Sequence, residues 1–187
     1  MRLFQAAIPV LATGVPAVVV SITAVDGVDG WLGAGLALIM LAIAVVDRRR
    51  FIIPDVLTAT ALALGIVNAI VAGRDDAGAA LVDATLRAMV LGLMFLSLRM
   101  IYARLRGRQG IGLGDVKLAA VAGLWLGWST MPIAVEIAAV SALMVYAARR
   151  YILRHAVRRS SRLPFGLYFA PAIWLGWLLE ATVLRSG

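Results

Sequence analysis

The chain has no cysteine and a single histidine, His155. Without thiols there is neither a disulfide nor a thiolate-bound metal site. One imidazole, set in an Arg-rich stretch, is too little for a zinc centre. A metalloprotease helix of the His-Glu-x-x-His kind does not occur. A serine nucleophile would need a base beside it, and the only histidine lies in a basic segment. Charge is also scarce: 15% of the 187 residues are charged, while 63% are hydrophobic and mean hydropathy is +0.95. A soluble domain is only about half apolar.

What remains is a series of long apolar runs. They cover roughly 3–24, 31–46, 56–72, 79–102, 114–128, 131–148 and 164–184. A spanning helix needs about 20 mostly apolar residues, so the expected fold is all-α, a polytopic transmembrane bundle of six to seven spans. The runs at 31–46 and 114–128 are short, and their polar ends are expected to complete them. The first run follows Arg2 and is longer than the ~7–15 residues of a signal-peptide core, so it is expected to be a retained helix. One membrane domain over 1–187 is expected, with no soluble domain, repeat or low-complexity region: a first helix at 3–24, central helices at about 31–128 and C-terminal helices at about 131–184.

Net charge is +8, with a sequence pI of about 11.2. The basic residues stand in short gaps between apolar runs, where they set membrane orientation and meet anionic headgroups. They form no separate basic domain and no nucleic-acid-binding motif. With the gap after the second run placed in the cytoplasm, 15 of the 18 basic residues fall on that side. Arg74 and Arg185 fall outside and Arg87 within a helix, while the outer gaps carry Asp26, Asp29, Asp75 and Asp76. The positive-inside rule then predicts seven spans with the N-terminus inside.

Three acids depart from this pattern. Asp47, Asp55 and Asp115 lie on the basic side at the ends of apolar helices, where an ionisable group is costly and a functional candidate. Asp47 is expected to end one helix, beside Arg48, Arg49 and Arg50. Pro54-Asp55 opens the next, with Pro suited to a first turn and Asp to a helix N-terminus. Gly110-Ile111-Gly112-Leu113-Gly114-Asp115 places three alternate glycines before the third acid, permitting a bent, close-packed backbone. Singly, each has a plain reading: an interfacial charge, a helix cap, a capping loop. Jointly they offer carboxylates on one membrane face in a chain with no other catalytic set. Two close carboxylates share a proton, since like charges a few ångströms apart do not both ionise easily. Such a pair activates water with one member and protonates a peptide carbonyl with the other.

These segments resemble the type IV prepilin peptidases, a family of membrane aspartic peptidases. The likeness is carried by Asp47 with Ile53-Pro54-Asp55-Val56-Leu57-Thr58, by Gly110-Ile111-Gly112-Leu113-Gly114-Asp115-Val116-Lys117-Leu118, and by Leu163-Pro164-Phe165-Gly166. It covers roughly residues 31 to 175. It implies that Asp47 and Asp115 are the catalytic pair, with Pro54, Asp55, Gly112, Gly114 and Lys117 supporting them or contacting substrate. It implies no metal and no cofactor. The implied substrate is the basic leader of prepilins or pilin-like secretion proteins, cut just after a glycine at the cytoplasmic face of the bacterial plasma membrane. Larger members carry a cytosolic loop with paired cysteines, linked to N-methylation. That loop is missing between the first two runs here, so peptidase activity without methyltransferase activity is expected.

Three further expectations follow. Asp47 lies at the C-terminal end of its helix and Asp115 at the N-terminal end of its own, so helix dipoles favour Asp115 as the base and Asp47 as the proton holder. A basic leader and a basic enzyme repel, so anionic lipid is the expected meeting ground. Glu136 and the Asp83–Arg87 pair, four residues apart on one helical face, are expected to pack the bundle. The alternative functions are a Gly-x-Gly-Asp protease for other signal peptides, and a non-enzymatic transporter or assembly factor using the acids as ion sites. A transporter would carry broken helices near the bilayer midplane.

Overall fold

The structure is a computed structural model that describes residues 2–107, 110–152 and 164–184. His155 and the arginines around it, Arg108, Leu163 and Arg185 lie outside the described residues. Among the described residues, seven α-helices follow one another: α1 (Arg2–Ala24), α2 (Gly27–Arg50), α3 (Asp55–Ala72), α4 (Ala77–Arg106), α5 (Leu113–Trp125), α6 (Thr130–Ala147) and α7 (Gly166–Leu179). Single π-helical turns, Ala148–Ile152 and Glu180–Leu184, continue α6 and α7. There is no strand among the described residues. In hydrocarbon every backbone polar group needs an internal partner, and the helix supplies one within each segment.

Among the described residues, five helical stretches are long and apolar enough to cross a bilayer: α2, α3, α4, α6, and α7 with its π turn as far as Val183. The chain is thus a multi-pass membrane protein. The helix ends follow local chemistry. Asp76 caps α4 by accepting from Ala79 N at 2.8 Å. Gly107 closes α4 in the left-handed region at φ 64°. The second helix runs four residues beyond each expected end. Its last turn holds Arg48, Arg49 and Arg50, whose charges suit a helix C-terminus.

α5 ends earlier than expected. It stops at Trp125, and Leu126 is already extended at φ −106° and ψ 146°. Thirteen residues at a 1.5 Å rise reach only about 20 Å, against a hydrocarbon core of about 30 Å. The short helix lies at the centre of the bundle. Leu118, Ala119, Val121, Ala122, Leu124 and Trp125 are all buried, and α5 packs on α3, α7 and most extensively α4. Small residues let the backbones meet, as is usual between membrane helices. A Cβ on Gly123 would fall 2.4 Å from the Arg87 carbonyl oxygen of α4, and one on Gly33 of α2 would fall inside the Trp177 ring of α7. Apolar side chains on the outer surface of α4 (Val82, Leu86, Met89, Leu93) and α6 (Val140, Leu143, Met144) remain exposed, as lipid-facing positions should.

Candidate active site

The basic ends of α2, α3, α4 and α5 meet the start of α7. Asp47 does not end its helix as expected. The helix continues one turn to Arg50, and Phe51 N donates to the Asp47 carbonyl at 2.9 Å. That extra turn draws Asp47 into the protein, leaving it 5% exposed. Its carboxylate accepts from the backbone N–H of Leu167 at 3.0 Å. Leu167 is in the first turn of α7, so the side chain at the end of α2 faces the N-terminus of another helix. Gly166 makes this possible, since a Cβ there would stand 2.9 Å from Asp47 Oδ2.

Asp115 is the third residue of α5. Its Oδ2 accepts from Gly112 N at 3.1 Å, tying the glycine turn to the helix it opens. Gly114 packs on Ile53, with a Cβ position 2.9 Å from Ile53 Cβ. The same Ile53 lies 2.9 Å from the Cβ position of Gly166. One buried isoleucine therefore touches the glycines beside both acids, which brings the two acidic helix ends to one place. The dipole reasoning that separated them loses its premise: both carboxylates face helix N-termini, Asp47 that of α7 and Asp115 its own.

The supporting residues divide. Gly112 and Gly114 shape the turn at Asp115. Asp55 opens α3 but makes no side-chain cap hydrogen bond there. Its Oδ1 instead accepts from Lys117 Nζ at 2.6 Å, joining α3 to α5 across 62 positions of sequence. Pro54 sets the extended residue before α3, with φ −67° and ψ 133°. Asp55 and Lys117 are solvent-accessible and stand at the mouth of the site; neither touches Asp47 or Asp115 through a hydrogen bond found here.

Sequence reasoning missed two residues of α4. Arg99 Nη1 donates to the Ile111 carbonyl at 2.6 Å, and the Tyr102 ring lies against Gly110, 2.4 Å from where a Cβ would be. Together they hold the glycine turn from the side. Arg99 was legible only as a basic residue on the cytoplasmic side, because its partner is a backbone carbonyl twelve residues on. Phe165, from the Pro164-Phe165-Gly166 segment, joins Phe95 and Phe169; the last two stack with centroids 5.7 Å apart. This aromatic wedge seats the start of α7 against α4. No group of three or more metal-ligating side chains occurs among the described residues.

The sequence matches known proteins. Residues 34–147 match the type IV leader peptidase family. A prepilin leader peptidase/N-methyltransferase of Aeromonas salmonicida is 30% identical over 175 residues, covering 94% of this chain and 58% of that protein. Proteins of the same description from Pseudomonas aeruginosa and Burkholderia pseudomallei are 31% identical over 148 residues and 34% over 137. The match spans 58% of the Aeromonas protein, 49% of the Pseudomonas one and 42% of the Burkholderia one. No solved structure matches it significantly. The match takes in α3, α4, α5 and both acids, so the chain belongs to the type IV leader peptidase family.

Proposed function

We propose that this protein is an aspartic endopeptidase that removes the basic leader of type IV prepilins or pilin-like secretion proteins, working with Asp47 and Asp115 at the cytoplasmic face of the bacterial plasma membrane. The observation that supports the reading is the packing of one buried residue, Ile53, against the glycine beside each of the two acids at the basic end of the bundle. The family's other members, named as prepilin leader peptidases, support the substrate class.

In this mechanism the two carboxyl groups share one proton. The ionised member removes a proton from water, and the water oxygen bonds to the scissile carbonyl carbon. The protonated member gives its proton to the carbonyl oxygen. The tetrahedral diol then collapses: one diol hydroxyl returns its proton to the carboxylate that had given one, the C=O bond re-forms as the C–N bond breaks, and the departing nitrogen takes the proton gained from water. The pair ends with one proton, as it began. Backbone N–H groups of Leu167 and Gly112 donate to the Asp47 and Asp115 carboxylates and hold them in place. No metal or cofactor enters the scheme, and the chain acts as one membrane domain.

The test is cleavage of a pilin-leader peptide by purified protein in anionic vesicles. Wild type cuts it; Asp47→Asn and Asp115→Asn each lose at least about 10³-fold in kcat, as removal of an essential acid–base group should. Full activity in either variant would sink the assignment. Cleavage of unrelated signal peptides but not pilin leaders would favour the broader Gly-x-Gly-Asp protease. Proton or ion flux lost in both variants, with no cleavage by wild type, would favour a transporter.

A further inference from the structure

α5 carries Asp115 at its basic end and stops short at the other. Its far end therefore lies at membrane depth, where helix-terminal carbonyls and N–H groups have no bulk water and must find partners within the protein. Irregular backbone at such depth persists only where protein or a wet cavity supplies partners. Here charged side chains supply them. Arg87 Nε of α4 donates to the Gly123 carbonyl at 3.3 Å. Glu180, in the π turn after α7, accepts from Gly127 N at 2.8 Å. Asp83 pairs with Arg87 and accepts from Trp128 Nε1 at 3.0 Å. Trp125 Nε1 donates to the Ala61 carbonyl of α3 at 2.9 Å.

These groups border a cavity of about 170 Å³ lined by Asn68, Asp83, Arg87, Trp125, Gly127 and Glu180 among others. Asn68 is 3% exposed, and its Oδ1 has no hydrogen-bond partner among the described residues. A buried amide oxygen without a protein partner calls for a water, and a polar cavity of this size has room for several. The cavity can therefore hold water, and it sits at the opposite end of α5 from the acids.

We propose that Arg87 and Glu180 are positioning residues for Asp115: by gripping the backbone on both sides of the break after α5 in this polar cavity, they fix the depth of the helix and so the approach of Asp115 to Asp47. The proposal rests on the catalytic reading of Asp115. It gives the Asp83–Arg87 pair a task beyond packing, and it explains why a π turn follows α7. The widened turn begins at Glu180, the residue that reaches Gly127.

The test uses the full chain in lipid nanodiscs. Glu180→Ala should lower kcat at least about tenfold at nearly unchanged KM, the mark of a misplaced catalytic group rather than lost substrate binding. Glu180→Gln, whose amide oxygen still accepts from Gly127 N, should restore kcat to near wild type. Ser21→Ala, which removes the Ser21–Trp174 bond far from α5, should lower thermal stability and leave kcat unchanged. A second readout needs no activity. The chain has no cysteine, so spin labels at Val56→Cys and Leu113→Cys report the distance between the starts of α3 and α5. Glu180→Ala should shift that distance by about 3 Å, two residues of helix rise, and Glu180→Gln should not. An unshifted distance, or a Gln variant as impaired as Ala, overturns the proposal. A shifted distance in a protein that cuts no pilin leader would leave the positioning intact and overturn the peptidase reading instead.

Discussion

Phe51 has φ 54°, in the left-handed region that side chains avoid. It follows the turn that carries the buried Asp47, and the chain must reverse within Phe51–Pro54 to start α3. A left-handed residue other than glycine costs about 1–2 kcal/mol, which the packing of Asp47 and Ile53 on either side must offset. Phe51→Gly should therefore raise the melting temperature in detergent, and Phe51→Val, β-branched, should lower it. Equal melting of the two would refute the strain. Gly166 makes the sharper functional prediction. A Cβ there meets both Asp47 Oδ2 and Ile53 Cδ1 at 2.9 Å, so Gly166→Ala must push the carboxylate aside. Misplacement by about 1 Å costs on the order of 10² in rate. A loss of that size in kcat is expected, with helicity by circular dichroism retained. Asp47, Asp115 and the glycine turn were legible as candidates because acids at helix ends beside an apolar core need a reason. Gly166 was visible in its motif, but its contact with Asp47 was not, because the two are 119 positions apart in the chain.

At the scale of elements, the site is an assembly of helix ends. α2 delivers Asp47 to the N-terminus of α7, α5 holds Asp115 on its own first turn, and α4 braces the glycine turn through Arg99. Arg99→Met removes the donor to Ile111 while keeping the apolar stem, so it should lower kcat several-fold with little change in stability; wild-type kcat would show that the turn holds its own shape. The Asp55–Lys117 bridge is open to solvent on both sides. Exposed pairs contribute about 0.2–1 kcal/mol and weaken with salt. A double-mutant cycle with Asp55→Ala and Lys117→Ala should return a coupling in that range, falling at high ionic strength. A salt-independent coupling of several kcal/mol would mean that the pair is shielded by protein or lipid. Hydrophobic run lengths located all seven helices, but their ends moved by up to four residues. Arginines in the last turn lengthen α2, and side-chain partners let α5 end early.

At the scale of the molecule, charge divides the bundle. One end gathers Arg48–Arg50, Arg104, Arg106 and Lys117 around the two acids; the other gathers Asp26, Asp75 and Asp76. Orientation in the membrane can be read by single cysteines in this cysteine-free chain. Gly107→Cys should react with an impermeant thiol reagent only from the cytoplasmic side, and Arg74→Cys only from the outside. The reverse pattern would overturn the proposed sidedness. The same surface charge predicts that cleavage in vesicles of neutral lipid runs well below that in anionic vesicles, because an anionic surface gathers both a basic leader and a basic enzyme at about 1 kcal/mol per basic residue. Equal rates would remove lipid from the account.

The sequence by itself determined the bilayer as solvent, the all-α class, the basic and acidic faces, and the three acids that stand out against apolar helices. These follow from composition and from spacing along one chain, where hydropathy and charge act locally. Only the tertiary structure decided that Asp47 leans on α7, that Ile53 lies beside both acids' glycines, and that α5 ends inside the bundle on Arg87 and Glu180. Each of these joins residues far apart in sequence through backbone groups, which every residue carries alike and which no side-chain pattern announces.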